Sequence, residues 1–113
     1  MLIALMLAGA APVTDAAATA DVRCLVATSV LAENGDKAIA QIGYFAAMFW
    51  LGRVGDISEA DLNSKMTEQA LHMTAADISL ELVRCGALMK ERGEMLARVG
   101  ASLSRKAARL ETR

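Results

Sequence analysis

Residues 74–110 read TAADISLELVRCGALMKERGEMLARVGASLSRKAARL, and this stretch decides the fold. Thr74 is followed three residues later by Asp77, a variant of the capping box that begins helices. Apolar residues then recur three and four positions apart, as an amphipathic helix requires: Ile78, Leu82, Cys85, Met89, Leu96, Val99 and Leu103. The sequence therefore predicts one long helix over residues 75–110.

The predicted helix is longer than a compact domain of this chain length is wide. It would extend about 54 Å, whereas a compact domain of this size is about 30 Å across. We therefore expect its end to protrude, to fray or to pack on another chain. Residues 104–113 form a basic end, with Glu111 opposing Arg105, Lys106, Arg109 and Arg113. We interpret this end as solvated and complementary to the helix dipole, with attraction to an anionic membrane surface as the alternative.

Three further helices are predicted upstream from start and stop signals. The first covers residues 21–33 and ends at Asn34-Gly35, and the second follows Asp36 and runs to about residue 53. The third begins at the Ser58 cap and ends near residue 72. Abundant alanine and a single proline favour helix throughout. The predicted fold class is all-α, a four-helix bundle-like domain.

The start of the chain has the layout of a secretory signal peptide. Residues 2–11 are uncharged and apolar, and a small-x-small site follows at residues 18–20. Ten apolar residues are too few to span a membrane, although no basic residue precedes Arg23. We expect a signal peptide over residues 1–20, cleavage after Ala20, and a domain over residues 21–113.

Two cysteines are present, Cys24 and Cys85. In a cytosolic protein they would be buried free thiols, but export to an oxidising compartment favours a disulfide between them. Such a bond would fix the first helix to the last and would stabilise a domain with a small core. We therefore expect a periplasmic or secreted protein with one disulfide.

Three glycines recur at intervals of seven residues in the last helix: Gly86, Gly93 and Gly100. Glycine costs about 1 kcal/mol relative to alanine inside a helix, so the repeat indicates that another backbone approaches closely. We expect helix packing within the chain, with a second copy of the chain as the alternative.

The aromatic residues all lie within one short segment of the second helix: Tyr44, Phe45, Phe49 and Trp50. They cover more than one face of that helix. We expect Phe45 and Phe49 in the core, with Tyr44 and Trp50 at its margin. The alternative is an apolar groove or patch that binds a ligand, a peptide or an unfolded protein.

No pattern of catalytic or metal-ligating residues is present. His72 is the single histidine, and metal sites need three or four converging ligands. No general base is grouped with the candidate hydroxyls, which are Ser29, Ser58, Ser79 and Ser102. Twelve basic residues against thirteen acidic ones leave no cationic face for nucleic acid. We expect no enzymatic activity, no cofactor, no metal and no nucleic-acid partner.

Two segments carry a resemblance to known proteins: GYFAAMFWLGRVGD at residues 43–56 and LVRCGALMKERGEMLARVGASL at residues 82–103. The chain resembles a family of small exported helical proteins of alphaproteobacteria. More distantly, its two-cysteine helical plan is similar to the HdeA family of periplasmic acid-stress chaperones. That resemblance implies a disulfide-linked helical domain that is dimeric at neutral pH and exposes apolar surface to client proteins in acid. No functional residue of that family is carried over beyond the cysteine pair.

We therefore expect a non-enzymatic periplasmic binding or chaperone-like protein. Its contact surface would be the aromatic segment of the second helix or the glycine repeat of the last helix. The alternative is a dedicated inhibitor or immunity-type protein that binds one secreted partner. The expected partner is a protein, either another one or a second copy of this chain, and no membrane association is expected after signal cleavage.

Overall fold

The computed structural model describes residues 15–112, which form four α-helices joined by short turns. The helices are α1 (Asp15–Ala32), α2 (Lys37–Val54), α3 (Glu59–Leu71) and α4 (Ala75–Glu111). The predicted all-α class is confirmed, and the predicted start of α2, α3 and α4 is correct to within one residue. Arg113 and residues 1–14 lie outside the described part, so the signal peptide stays a prediction.

Local side-chain chemistry explains these boundaries. Asp36 accepts hydrogen bonds from the backbone N–H groups at the start of α2, and Ser58 accepts one at the start of α3. At α4 the Thr74 hydroxyl accepts from the Asp77 N–H while the Asp77 carboxylate accepts from the Thr74 N–H. These bonds from Thr74 hold the pKa of Asp77 below its ordinary value. Gly55 ends α2 with a φ of 88°, in the left-handed region that glycine tolerates.

The prediction for α1 was wrong at its start. The helix begins at Asp15, because the segment that follows is nearly all alanine, the best helix former. It passes without interruption through Ala20, whose carbonyl oxygen accepts a hydrogen bond from Arg84 Nη2 at 3.1 Å. The expected cleavage after Ala20 therefore concerns a site that lies within helix in this structure.

Helix α1 is the centre of the molecule, since α2, α3 and α4 each pack on it. Its middle is buried on nearly every side, at Val22 and at residues 24–28. A helix that is apolar all round is expected to lie inside a protein, and this part of α1 carries only apolar and small side chains between Arg23 and Glu33. Thr28, its one buried polar residue, donates to the carbonyl oxygen of Cys24 at 2.8 Å.

Helix α4 protrudes from the rest of the molecule. Its first half packs on α1 through residues around Cys85, which is fully buried. From Lys90 to Thr112 nearly every residue is exposed, and the helix continues to Glu111 without fraying. Of the outcomes expected for an overlong helix, the single chain shows protrusion rather than fraying, and packing on another chain stays a prediction.

Candidate functional site

The two cysteines form the predicted disulfide. The sulfur atoms of Cys24 and Cys85 are 1.99 Å apart, the Cα atoms are 5.7 Å apart, and both side chains are fully buried. The bond joins the middle of α1 to the third turn of α4, across 61 positions of sequence. It is therefore the covalent part of the contact between these two helices.

A charged cluster covers this disulfide. Glu81 of α4 accepts from Arg23 Nε of α1 at 2.9 Å and from Arg84 Nε at 2.7 Å. Arg84 Nη2 also lies 3.1 Å from the Sγ atom of Cys24. Burial alone would raise the pKa of Glu81, but the hydrogen bonds from both arginines outweigh it and hold that pKa below its ordinary value. The cluster ties α4 to α1 beside the bond.

The same cluster is a poor place for a metal ion. Glu81 and the two cysteine sulfurs lie within 4.8 Å of one another, close enough for three ligands of one ion. Metals bind the thiolate form of cysteine, and the bond between Cys24 and Cys85 leaves neither sulfur as a thiolate. The chemistry available here is structural.

The aromatic residues are arranged differently from the expectation. Trp50 was expected at the margin of the core but has 0% exposure, while Phe45 was expected inside and is 62% exposed. Phe49 packs against the core edge-to-face with Trp50, as expected, and Tyr44 is exposed. Trp50 is preferred inside because it points toward α1 and the disulfide, where its larger ring fills the space between the helices.

Trp50 also carries an unusual polar group. Its indole Nε1 is buried and has no hydrogen-bond partner among residues 15–112. The guanidinium carbon of Arg53 lies 5.4 Å from the ring centre, in cation–π contact with the ring. Arg53 in turn pairs with Asp21 of α1 at 3.3 Å.

An apolar groove opens between α2 and α4, with α1 as its floor. Its volume is about 600 Å³. Leu31 contributes from α1, and the two walls are formed mainly by Ile42, Phe45, Leu82, Gly86 and Met89. The polar residues at the groove are Thr28, whose hydroxyl is bonded to the backbone, and Lys90 at its end. Such a groove has the shape and polarity to bind an apolar segment.

Among the described helices the glycine repeat does not serve helix packing, and that expectation was wrong for this part of the chain. A side chain placed at Gly86, Gly93 or Gly100 would meet no atom of another described helix within 4 Å. The reason is that α4 leaves the other three helices before Gly93, so none of their backbones reaches the later part of the repeat.

Close packing of helices depends instead on Gly43, a residue that the sequence analysis missed. A Cβ atom there would lie 2.6 Å from the carbonyl carbon of Leu31 and 2.9 Å from the Cα of Ala32. Gly43 thus lets α2 cross the end of α1 at backbone contact. A glycine in the middle of an otherwise alanine-rich and aromatic helix was the signal available, although Gly52 of the same helix carries the same signal without a close contact.

Three of the remaining candidates lie at or near helix ends. His72 is exposed at the C-terminal end of α3, and Ser58 caps the start of that helix. The Ser79 hydroxyl donates to the carbonyl oxygen of Ala75. Within residues 15–112, no helix is both long enough and apolar enough to cross a membrane.

Comparison of the chain with family models, curated proteins and solved structures finds no match. The resemblance to exported helical proteins therefore stays a prediction. The features of the molecule that bear on function are the groove, the disulfide and the protruding helix.

Proposed function

We propose that this chain is a non-enzymatic, chaperone-like protein of the periplasm or of the secreted fraction, and that it binds apolar segments of other proteins. One observation carries the proposal: the apolar groove between α2 and α4, with Ile42 and Phe45 exposed along its wall. Exposed apolar surface of this kind on a small folded protein is typical of a protein-binding site.

The composition of the groove supports binding rather than chemistry. Its lining offers one hydroxyl, at Thr28, and one amine, at Lys90. The hydroxyl already donates to Cys24, and neither group has a neighbouring general base in the lining. Affinity would come from burial of apolar area on Phe45, Ile42 and the α4 side chains.

The compartment is supported by the disulfide. The bonded pair is fully buried and joins helices distant in sequence, which is compatible with a protein of the periplasm or the extracellular space. In such a compartment a small helical domain gains stability from the bond.

The proposal is tested by suppression of aggregation of a chemically unfolded client, such as a reduced and denatured small enzyme, at substoichiometric to equimolar ratios. The critical variant is Phe45→Ser. We expect its affinity for the client to fall by about tenfold, as for loss of an aromatic anchor.

The matched control is Leu71→Ser, which removes an exposed apolar side chain at the end of α3 that does not line the groove. This control should behave as the parent protein. Equal loss in both variants, or full activity in Phe45→Ser, would contradict the groove as the site. Binding of one protein alone, with no effect on unrelated clients, would instead favour the inhibitor function.

A further inference from the structure

One face of α4 alternates large and small side chains. The positions are four and then three residues apart throughout, so they form a single seam along the helix: Leu82, Gly86, Met89, Gly93, Leu96, Gly100, Leu103, Ala107 and Leu110. Large residues recur every seven positions, at 82, 89, 96, 103 and 110. Glycine or alanine recurs every seven positions between them, at 86, 93, 100 and 107. We refer to these nine positions as the α4 seam.

Within residues 15–112, the chain does not cover most of this seam. Leu96, Leu103 and Leu110 are 70%, 59% and 68% exposed. Apart from the backbone of α4 itself, no atom of these residues lies within 4 Å of the place where a side chain on Gly93 or Gly100 would be. Three glycines weaken an exposed helix without any packing gain among the described helices. Their spacing indicates a second helix that lies close to α4.

The seam is continuous with the groove. Leu82, Gly86 and Met89 are both the first positions of the seam and the α4 wall of the groove. A helix laid along the seam would therefore end in the groove, against Ile42 and Phe45 of α2. It would complete a four-helix cluster with α1, α2 and α4.

We propose that this helix is α4 of a second copy, paired antiparallel with the first about a two-fold axis. The proposal rests on the proposed function in taking the groove as a protein-binding surface, and it names the occupant of that surface. In an antiparallel pair Gly93 lies against Leu103 of the second copy, and Leu96 lies against Gly100. The same offset places Leu110 of the second copy against Gly86, in the groove.

Antiparallel pairing is favoured by packing. Every layer of the seam then contains one large and one small side chain, which is how helix interfaces fill space without voids. A shift of seven residues preserves this match. A parallel pair would place glycine against glycine and leucine against leucine, which alternates gaps with crowding.

Charge favours the same direction. The last turns of α4 carry Arg105, Lys106 and Arg109, with Glu111 as the neighbouring acid. A parallel pair would bring these cationic ends together. An antiparallel pair separates them and opposes the two helix dipoles.

The contact area is sufficient for a dimer of moderate affinity. The seam from Gly86 to Leu110 is about 36 Å long and about 10 Å wide, or roughly 700 Å² for both chains. The walls of two grooves, each with Ile42 and Phe45, add to this area. The total approaches the lower end of stable interfaces, about 1,200 Å², so we expect a dissociation constant on the order of micromolar.

Sedimentation equilibrium of the purified full chain tests the association. Gly100→Leu places a large residue where the seam needs a small one, so we expect the dissociation constant to rise about tenfold or more. The matched control is Ala101→Leu, at the adjacent exposed position off the seam, which should leave the constant unchanged. Circular dichroism should show equal or greater helicity in Gly100→Leu, because leucine is a better helix former than glycine, and nearly unchanged helicity in Ala101→Leu.

Orientation is tested with a spin label on Thr112→Cys, since both native cysteines of the described chain are bonded to each other. Antiparallel pairing predicts a distance between labels above about 30 Å, whereas parallel pairing predicts about 10–20 Å. A monomeric protein, a dimer that Gly100→Leu leaves intact, or the short distance would overturn the proposal.

Failure here and failure of the proposed function give different results. A monomer that still suppresses client aggregation would remove the dimer and keep the client site. An antiparallel dimer that binds no client, even when diluted well below its dissociation constant, would support the dimer and contradict the proposed client site. A monomer in which another segment of the chain fills the groove would also refute the second copy as occupant.

Discussion

Glu81 accepts hydrogen bonds from arginines of two helices. Arg23 comes from α1 and Arg84 from α4, and Arg84 also donates to the carbonyl oxygen of Ala20. The carboxylate is mostly buried, so its hydrogen bonds are charge-assisted and shielded from water. We expect Glu81→Gln to lower the free energy of unfolding by about 1–2 kcal/mol, measured by urea denaturation at neutral pH.

The pH dependence of stability should change with the same substitution. The pKa of Glu81 is lower in the folded state than its ordinary value of 4.5. Its stabilising contribution is therefore fully present above that value and is lost as the pH falls through the folded-state pKa. We expect the parent protein to lose stability below about pH 5, and the Glu81→Gln variant to lose less over the same range. Parallel curves for the two proteins would show that other carboxylates determine the acid response.

At the scale of elements, the junction of α1 and α2 depends on Gly43. A methyl group there would overlap the backbone of Leu31 and Ala32, so the helices would have to separate. We expect Gly43→Ala to lower the free energy of unfolding by about 2–3 kcal/mol, despite the better helix propensity of alanine.

Gly52 provides the matched control, because it lies in the same helix and nothing approaches within 4 Å of its Cβ position. We expect Gly52→Ala to raise the free energy of unfolding by about 0.5–1 kcal/mol. Thermal denaturation of both variants would check the pair. A stabilising Gly43→Ala would mean that the close crossing of α1 and α2 is absent in solution.

The boundaries of three helices could be predicted from sequence because their signals are local. Asp36, Ser58 and Thr74 cap the helix that directly follows each of them, and no distant contact is needed to recognise them. The disulfide could be predicted because the chain has two cysteines in total and the signal-peptide layout predicts export to an oxidising compartment.

The inner face of α2 could not be predicted in the same way. Phe45 and Trp50 are both large and both fit a helical repeat, so the choice between them depends on where α1 lies. The burial of α1 on nearly every side has the same origin, since three neighbouring helices cover it. In both helices, which side chains are buried depends on the packing partners, and sequence periodicity does not identify those partners. The groove and its exposed Phe45 follow from the burial of Trp50 in place of Phe45.

At the scale of the whole molecule, α4 is held to the rest through α1. The disulfide between Cys24 and Cys85 supplies the covalent part of that attachment. We expect reduction, or the double substitution Cys24→Ala with Cys85→Ala, to lower the free energy of unfolding by about 2–4 kcal/mol.

Hydrogen exchange measured with and without reductant would locate the loss. We expect faster exchange in the first half of α4 after reduction, and a smaller change in α2 and α3, which contact α1 independently of the bond. An equal change in every helix would show that the four helices unfold as one cooperative unit.

The position of α1 also sets an order of events in time. Of the four described helices it is the first to be synthesised, and each later helix meets a docking surface that already exists. The disulfide partner of Cys24, however, is Cys85, which is synthesised 61 positions later. At about 5–20 residues per second this interval lasts roughly 3–12 seconds. During those seconds the central helix carries an unpaired thiol, and if the chain meets an oxidant before Cys85 is available, two chains can become cross-linked through Cys24.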